Sequence, residues 1–266
     1  MRDEVMPELP VTVFGLPVNW PTVFMSVVVA GILVLIAYVV GRRVGMVPRR
    51  LQAAVEAFYG FFIDLVAQAL GKERARKFFP LYSSLFLFLW FSNMIGIVPI
   101  GRVEIGGEPY VDVNGNGVYD SRDFFEDENG DGRRNPGFVM PGWQEPTRDM
   151  NTTIGMAILF AFIAHLTQLR TKKPFILGYI KDYFSPIPLM FPLNVVSRIV
   201  EMVSTSMRLY GNIFGGAVII LIASFFTAGV VLPLPLAVFF GLFVGTIQAF
   251  VFTMLWIAYL AVTIQE

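Results

Sequence analysis

Residues 192–216 read PLNVVSRIVEMVSTSMRLYGNIFGG, an apolar run in which polar side chains recur at helical intervals. Asn194, Arg198, Glu201, Thr205, Arg208 and Asn212 step by three or four residues, so one face of a helix carries them all. The rest of the helix is apolar enough to lie in a membrane. A charge at membrane depth costs several kcal/mol and normally faces an aqueous cavity or a partner. Glu201 has Arg198 and Thr205 within a helical turn, which allows a local ion pair. Arg208 has only Ser204, Thr205, Gly211 and Asn212 as helical neighbours, with no acid among them. Its counter-charge is expected from another helix, most economically a carboxylate on another chain. Snorkelling to an interface, or a lipid phosphate, is the competing account of Arg208.

The remainder of the chain fits a membrane setting. Of 266 residues, 55% are hydrophobic and 15% charged, more apolar surface than a soluble domain of that size buries. There is no cysteine, which excludes disulfides and thiolate-held zinc or iron–sulfur sites. The 20 basic and 20 acidic residues cancel, leaving no global basic surface for nucleic acid. The acidic segment before Thr22 does not read as a secretory signal.

Four apolar blocks stand out: Thr22–Gly41, Leu81–Ile100, Ile154–Leu169, and a long stretch from Phe191 that breaks near Leu232-Pro233-Leu234-Pro235. Each half of the last block is a helix of about thirty residues, or about 45 Å, against a hydrocarbon core of about 30 Å. Strong tilt is therefore expected. Basic residues after the first span (Arg42, Arg43, Arg49, Arg50), before the second (Lys72, Arg74, Arg76, Lys77) and after the third (Arg170, Lys172, Lys173) predict cytoplasmic loops there. The expected fold is an all-α integral membrane protein of about five transmembrane helices plus an interfacial amphipathic helix, N-terminus outside and C-terminus cytoplasmic. The amphipathic segment is residues 47–70, for which a sixth, more vertical helix is the alternative. The expected divisions are an extracytoplasmic segment 1–21, the first two spans 22–100, an extracytoplasmic loop 101–150, and the third span with the two long helices, 151–266.

The stretch Arg208-Leu-Tyr-Gly-Asn-Ile-Phe-Gly-Gly216 resembles the Arg-Leu-Phe-Gly-Asn signature of the F-type ATP synthase a subunit. Pro192-Leu-Asn194 upstream, Ile247-Gln-Ala-Phe-Val-Phe-Thr253, Ser92-Asn-Met-Ile-Gly-Ile-Val-Pro99 and Asp149-Met-Asn-Thr-Thr153 are similar to other parts of that family. The resemblance spans nearly the whole chain outside an insert at residues 107–141. It implies that Arg208 is the stator arginine facing the carboxylate of each c subunit as the ring turns, and that Asn212 and Gln248 line the site. Asn93, Asp149 and Asn151 become candidates for the outer access path, and Glu201, Ser204, Arg198 and Asn194 for the cytoplasmic one. For Asn93 and Gln248, hydrogen bonding between helices is the competing role. The implied partners are the c-ring and b-type peripheral stalk subunits, in an energy-transducing membrane, with ATP chemistry on other subunits. No Gly-rich phosphate loop is present.

Two departures from the family pattern bear on the outer path. Ala217 stands where an acid is usual, and Gly241 where some members have His or an acid. Upstream, Asn194 and Met202 replace a common Glu and Pro, while Arg198 and Glu201 are unusual. The single histidine, His165, reads as a packing or interfacial residue.

The insert contains Asp112-Val-Asn-Gly-Asn-Gly-Val-Tyr-Asp-Ser-Arg-Asp123, in which Asp112, Asn114, Asn116, Asp120 and Asp123 occupy positions one, three, five, nine and twelve of a calcium-loop pattern. A second such start, at Asp127, lacks the twelfth-position acid. Solvated Asp/Asn/Gly turns fit the same composition. No other cofactor is expected. Outside the resemblance, an autonomous transporter or channel with an arginine-lined site is the alternative function, and partner dependence separates the two.

Overall fold

The computed structural model describes residues 11–13, 16–42, 45, 50–97, 103–105, 110–111, 123–125, 138–140, 144–171, 191–226 and 233–265. Its helices are α1 (Trp20–Arg42), α2 (Arg50–Leu70), α3 (Lys72–Ile95), α4 (Met150–Thr171), α5 (Phe191–Phe226), α6 (Pro233–Val238) and α7 (Gly245–Gln265). A π-helical segment, Phe239–Val244, carries α6 into α7 without a break. Among the described residues, six helical stretches are long and apolar enough to cross a membrane. The chain is an all-α integral membrane protein that crosses the bilayer several times.

Chain contacts divide it into two units, one of Met1–Met25 with Val98–Gln144, the other of Ser26–Ile97 with Glu145–Glu266. The first holds three antiparallel ribbons: β1 (Val11–Val13) with β2 (Leu16–Val18), β3 (Val103–Ile105) with β6 (Phe138–Met140), and β4 (Tyr110–Val111) with β5 (Phe124–Phe125). These strands are additions to the purely helical expectation. Their β-branched and aromatic residues flank stretches rich in Gly, Asp and Asn, the composition that favours short paired strands between turns.

In the second unit α2 and α3 form a hairpin whose only link is Gly71, at φ 83°, a left-handed conformation that glycine adopts without penalty. The two helices pack lengthwise through aromatic pairs, Tyr59 with Phe79 at 4.6 Å and Phe62 and Phe58 with Phe86 at 5.3 and 5.8 Å between ring centroids. The amphipathic segment is thus a helix laid along α3, itself among the six apolar enough to span. Gln52 fixes its start by bonding both the N–H and the carbonyl of Gly45. α3 begins nine residues before the apolar block expected to form the second span, because Lys72–Phe79 continues the helix with its charges exposed.

α7 runs antiparallel to α3 and packs on α2, α4 and α5 as well, so it is the central helix of the unit. The core is Phe62, Val66, Tyr82, Leu85, Leu89, Phe160, Leu209, Phe252, Trp256, Ile257 and Leu260. Lipid tails are as apolar as these side chains, so close packing and interhelical hydrogen bonds hold the helices together rather than hydrophobic transfer. Small residues make that packing close. A Cβ on Gly216 would come within 2.8 Å of the Phe240 ring, and one on Gly245 within 2.8 Å of Asn93 Cβ. The Tyr82 hydroxyl donates to the Trp256 carbonyl at 3.2 Å. α5, 36 residues long, reaches about 54 Å at 1.5 Å per residue and must tilt to stay within a core of about 30 Å.

Candidate functional site: the outward face of α5 and the two ends of the bundle

The polar stripe forms as its spacing predicts, but its two edges differ. A step of four residues advances a side chain by about 40° around a helix and a step of three sets it back by about 60°. Arg198 and Thr205 therefore lean to one side of the stripe, Glu201 and Arg208 to the other. Thr205 is buried and returns its hydroxyl to the Glu201 carbonyl at 2.8 Å. Arg198 lays its guanidinium over the Tyr259 ring of α7, 4.7 Å from the centroid. Glu201, Ser204 and Arg208 are exposed, on the face turned away from the bundle.

Arg208 has no hydrogen-bond or ion-pair partner among the described residues. One turn to either side of it on α5 stand Ser204, Gly211 and Asn212, and farther round the exposed surface of the helix is apolar at Val200, Val203 and Met207. Asn212 and Gln248 are half-buried, and neither has a hydrogen-bond partner among the described residues. Asn194 is half-buried and partnered within the chain. Contrary to the local ion pair that their spacing allows, Arg198 and Glu201 do not bridge; Tyr259 holds Arg198 on the bundle side instead.

At the end of the bundle where α5 begins, His165 of α4 lies edge-on to Tyr259, with its Nε2 3.4 Å from the Tyr259 hydroxyl. That is the packing role its sequence position suggests. At the opposite end, the last turn of α3 meets the π segment and a 3₁₀ turn, Pro146–Arg148, that leads into α4. Asn93 is buried there and ties α3 to the 3₁₀ turn and to the start of α7: Thr147 donates to its Oδ1 at 2.7 Å, and its Nδ2 donates to the Gly245 carbonyl at 2.9 Å. Beside it Trp90 Nε1 donates to Thr246 Oγ1 at 2.8 Å. Asp149 caps α4, its carboxylate accepting the Asn151 N–H at 2.8 Å, while Asn151 itself is exposed.

Gly241 and Gly245 let the π segment press against α3, where a side chain on Gly241 would collide with Ile97. Ala217 is half-buried on α5. Sequence reasoning missed Ser92, whose hydroxyl is buried without a partner among the described residues, and Glu145, whose half-buried carboxyl lies against Gly96. Burial pushes the Glu145 carboxyl above the usual carboxylate range, its own backbone N–H and Arg148 pulling the other way. A lone acid in a long loop reads as solvated, so the only hint of Glu145 was its place just before Pro146.

Of the calcium-loop residues, Asp112, Asn114, Asn116 and Asp120 lie outside the described residues. Asp123 is buried and takes part in an interaction within the chain. Among the described residues no group of three acids or histidines is placed to hold a metal.

The sequence profile of a family described as ATP synthase A chain matches residues 23–261. The chain belongs to that family. Among similar proteins, the ATP synthase subunit a of Propionigenium modestum, described as sodium ion specific, is 34% identical over 254 residues, 96% of this chain and 77% of that one. Subunit a of Moorella thermoacetica is 30% identical over 253 residues, 95% of this chain and 91% of the relative. Subunit a of Helicobacter pylori is also 30% identical, over 90% of this chain and 88% of its own length. Membership in the ATP synthase A chain family makes this chain a subunit of the membrane sector of an ATP synthase. Such a subunit works within a complex and carries no ATP chemistry of its own.

Proposed function

We propose that this chain supplies the ion path of the membrane sector, with Arg208 as the stator charge between two offset half-channels that open on opposite sides of the membrane. One observation carries the reading: Arg208 is exposed midway along a long, mostly apolar helix and has no partner among the described residues. A guanidinium left so in hydrocarbon costs about 2.5–3.5 kcal/mol even on the most lenient scale. A carboxylate on a facing chain removes that cost, and a ring of c subunits supplies one at each step of rotation. The arginine favours the ionised carboxylate as it passes and bars ions from crossing directly between the half-channels. Asn212 and Gln248 flank the passage; Asn93 belongs to the outer path, and Ser204, Glu201, Arg198 and Asn194 to the cytoplasmic one. Peripheral stalk subunits of the b type hold the chain still.

The proposed setting is an energy-transducing membrane, N-terminus outside and C-terminus cytoplasmic. Basic residues after α1, before α3 and after α4 support placing those connections on the cytoplasmic side. In the insert, calcium bound by Asp112, Asn114, Asn116, Asp120 and Asp123 is proposed from their spacing. The pairing of Val111 with Phe124 supports it, since the residues on either side of that twelve-residue run stand opposite each other. Chelator treatment of the purified complex should then speed protease cleavage in residues 107–141; unchanged cleavage would leave the segment a solvated loop.

The test of the main reading is substitution of the arginine. R208A and R208K complexes should both lose ATP-driven ion pumping and ion-driven synthesis while retaining ATP hydrolysis, because a compact ammonium does not reproduce a planar, always-charged guanidinium. Normal coupled pumping by R208A would remove Arg208 from the mechanism.

A further inference from the structure

The end of the bundle built by the last turn of α3, the 3₁₀ turn and the π segment is polar inside. Its polar groups, however, are unequal. Thr147, Asn93 and the Gly245 carbonyl satisfy one another, Trp90 and Thr246 pair, and Asp149 is spent on capping α4. Two groups are left. The Glu145 side chain lies along the Cα of Gly96, so close that even a methyl group there would displace its carboxyl. Ser92 is fully buried and its hydroxyl has no partner among the described residues. Ser92 and Gly96 are four residues apart, and Gly96 keeps helical backbone angles, φ −70° and ψ −10°. They therefore lie on one face of α3 a single turn apart, about 6 Å. The Glu145 carboxyl and the Ser92 hydroxyl thus follow one another inward along that face.

We propose that Glu145 is the ionisable relay at the extracytoplasmic mouth of the ion path, taking the transported cation from outside water and passing it inward past the Ser92 hydroxyl. The inference rests on the ion-path reading above and on the orientation proposed there. For a proton, the carboxylate oxygen binds H⁺ from the outer side and releases the same H⁺ inward, regenerating the carboxylate; a sodium ion would be held and released by the same oxygens.

Neighbouring charge supports the assignment. Among the described residues, the ionisable groups nearest Glu145 in the chain are Arg148 and Asp149 on its own turn. The last turn of α3 (Phe91–Ile95), the π segment (Phe239–Val244) and the second half of α5 (Ile213–Phe226) bring none. Burial in that surrounding raises the affinity of the carboxyl for a proton, so it exchanges protons closer to neutral pH than a solvated glutamate does.

The experiment uses the whole ATP synthase in vesicles, with passive conduction measured after the soluble head is stripped away. E145Q should assemble, hydrolyse ATP, and lose most passive conduction and ATP-driven pumping of whichever cation the wild type carries, proton or sodium. E145D, which keeps a carboxyl, should recover part of the loss, and G96A should lower conduction by displacing the carboxyl. Because the chain has no cysteine, E145C offers a single thiol; a charged, membrane-impermeant thiol reagent should react with it from the extracytoplasmic side only. Wild-type conduction and pH dependence in E145Q would overturn the proposal, as would reaction of E145C only from the cytoplasmic side. If R208K stops pumping while E145Q conducts normally, this inference alone fails; if R208A pumps normally, the reading beneath it fails.

Discussion

Arg198 and Glu201 sit one turn apart on α5 with opposite charges and yet have separate surroundings, a cation–π contact on α7 for the first and an open face for the second. Separate effects follow. R198A should lower the thermal stability of the solubilised complex by about 1 kcal/mol, the worth of a partly desolvated cation–π contact. E201Q should leave stability unchanged and slow ion transfer on the cytoplasmic side more than A217E disturbs the outer side. Glu201 is the only carboxylate in α5 to α7, so no other group on those helices replaces it. Equal losses of stability in R198A and E201Q would restore the ion pair that the spacing allows. The stripe itself was legible in the sequence because a 3.6-residue period shows directly in the spacing of polar residues. Which of its edges turns inward was not, since that is decided by where α4 and α7 pack.

Among the elements, the π segment is the least legible. Its sequence, Phe239–Val244, reads as ordinary apolar helix, and only the glycines at 241 and 245 mark a close approach. The approach depends on Asn93 of α3 and Ile97 just beyond it, some 150 residues earlier in the chain. Asn93 shows the same limit. As a lone amide in a span it suited a conduction role or a helix contact equally, and the structure gives it bonds to Thr147 and Gly245. N93A should therefore lower the melting temperature of the complex, through about 1–2 kcal/mol for a buried hydroxyl and carbonyl left unpaired. G245A should cost about 1–3 kcal/mol by forcing the π segment off α3. Unchanged melting in both variants would mean that the junction adds nothing to the packing of α3 on α7. The helix boundaries were readable to within a few residues except at α3, where the charged start was taken for a loop although Gly71 alone provides the turn.

At the scale of the whole molecule, much of the lateral surface of the helices is apolar and suits lipid, including Val27, Val34 and Leu35 of α1 and Phe162 of α4. Such surface has no preferred partner, so apolar exposure alone does not distinguish a lipid-facing helix from a subunit-facing one. The outward face of α5 is set apart by a cation that has no partner among the described residues. Five spans plus an interfacial helix were expected and six helices are apolar enough to span, whereas the all-helical membrane fold, the length of α5 and the family were legible from length, composition and motif. The ribbons of the insert and the lengthwise packing of α2 on α3 were not, because both depend on contacts between segments without a strong period. The central claim is that the face of α5 bearing Arg208 is the face toward the rotor. With no native cysteine, single thiols at Met207 and Gly211, both exposed on that face, and at Ser206, buried on the other, compare the two sides directly. Paired with a cysteine beside the c-subunit carboxylate, M207C and G211C should form disulfides that stop ATP-driven pumping, and S206C should form none. Cross-linking from S206C, with none from M207C or G211C, would contradict the account.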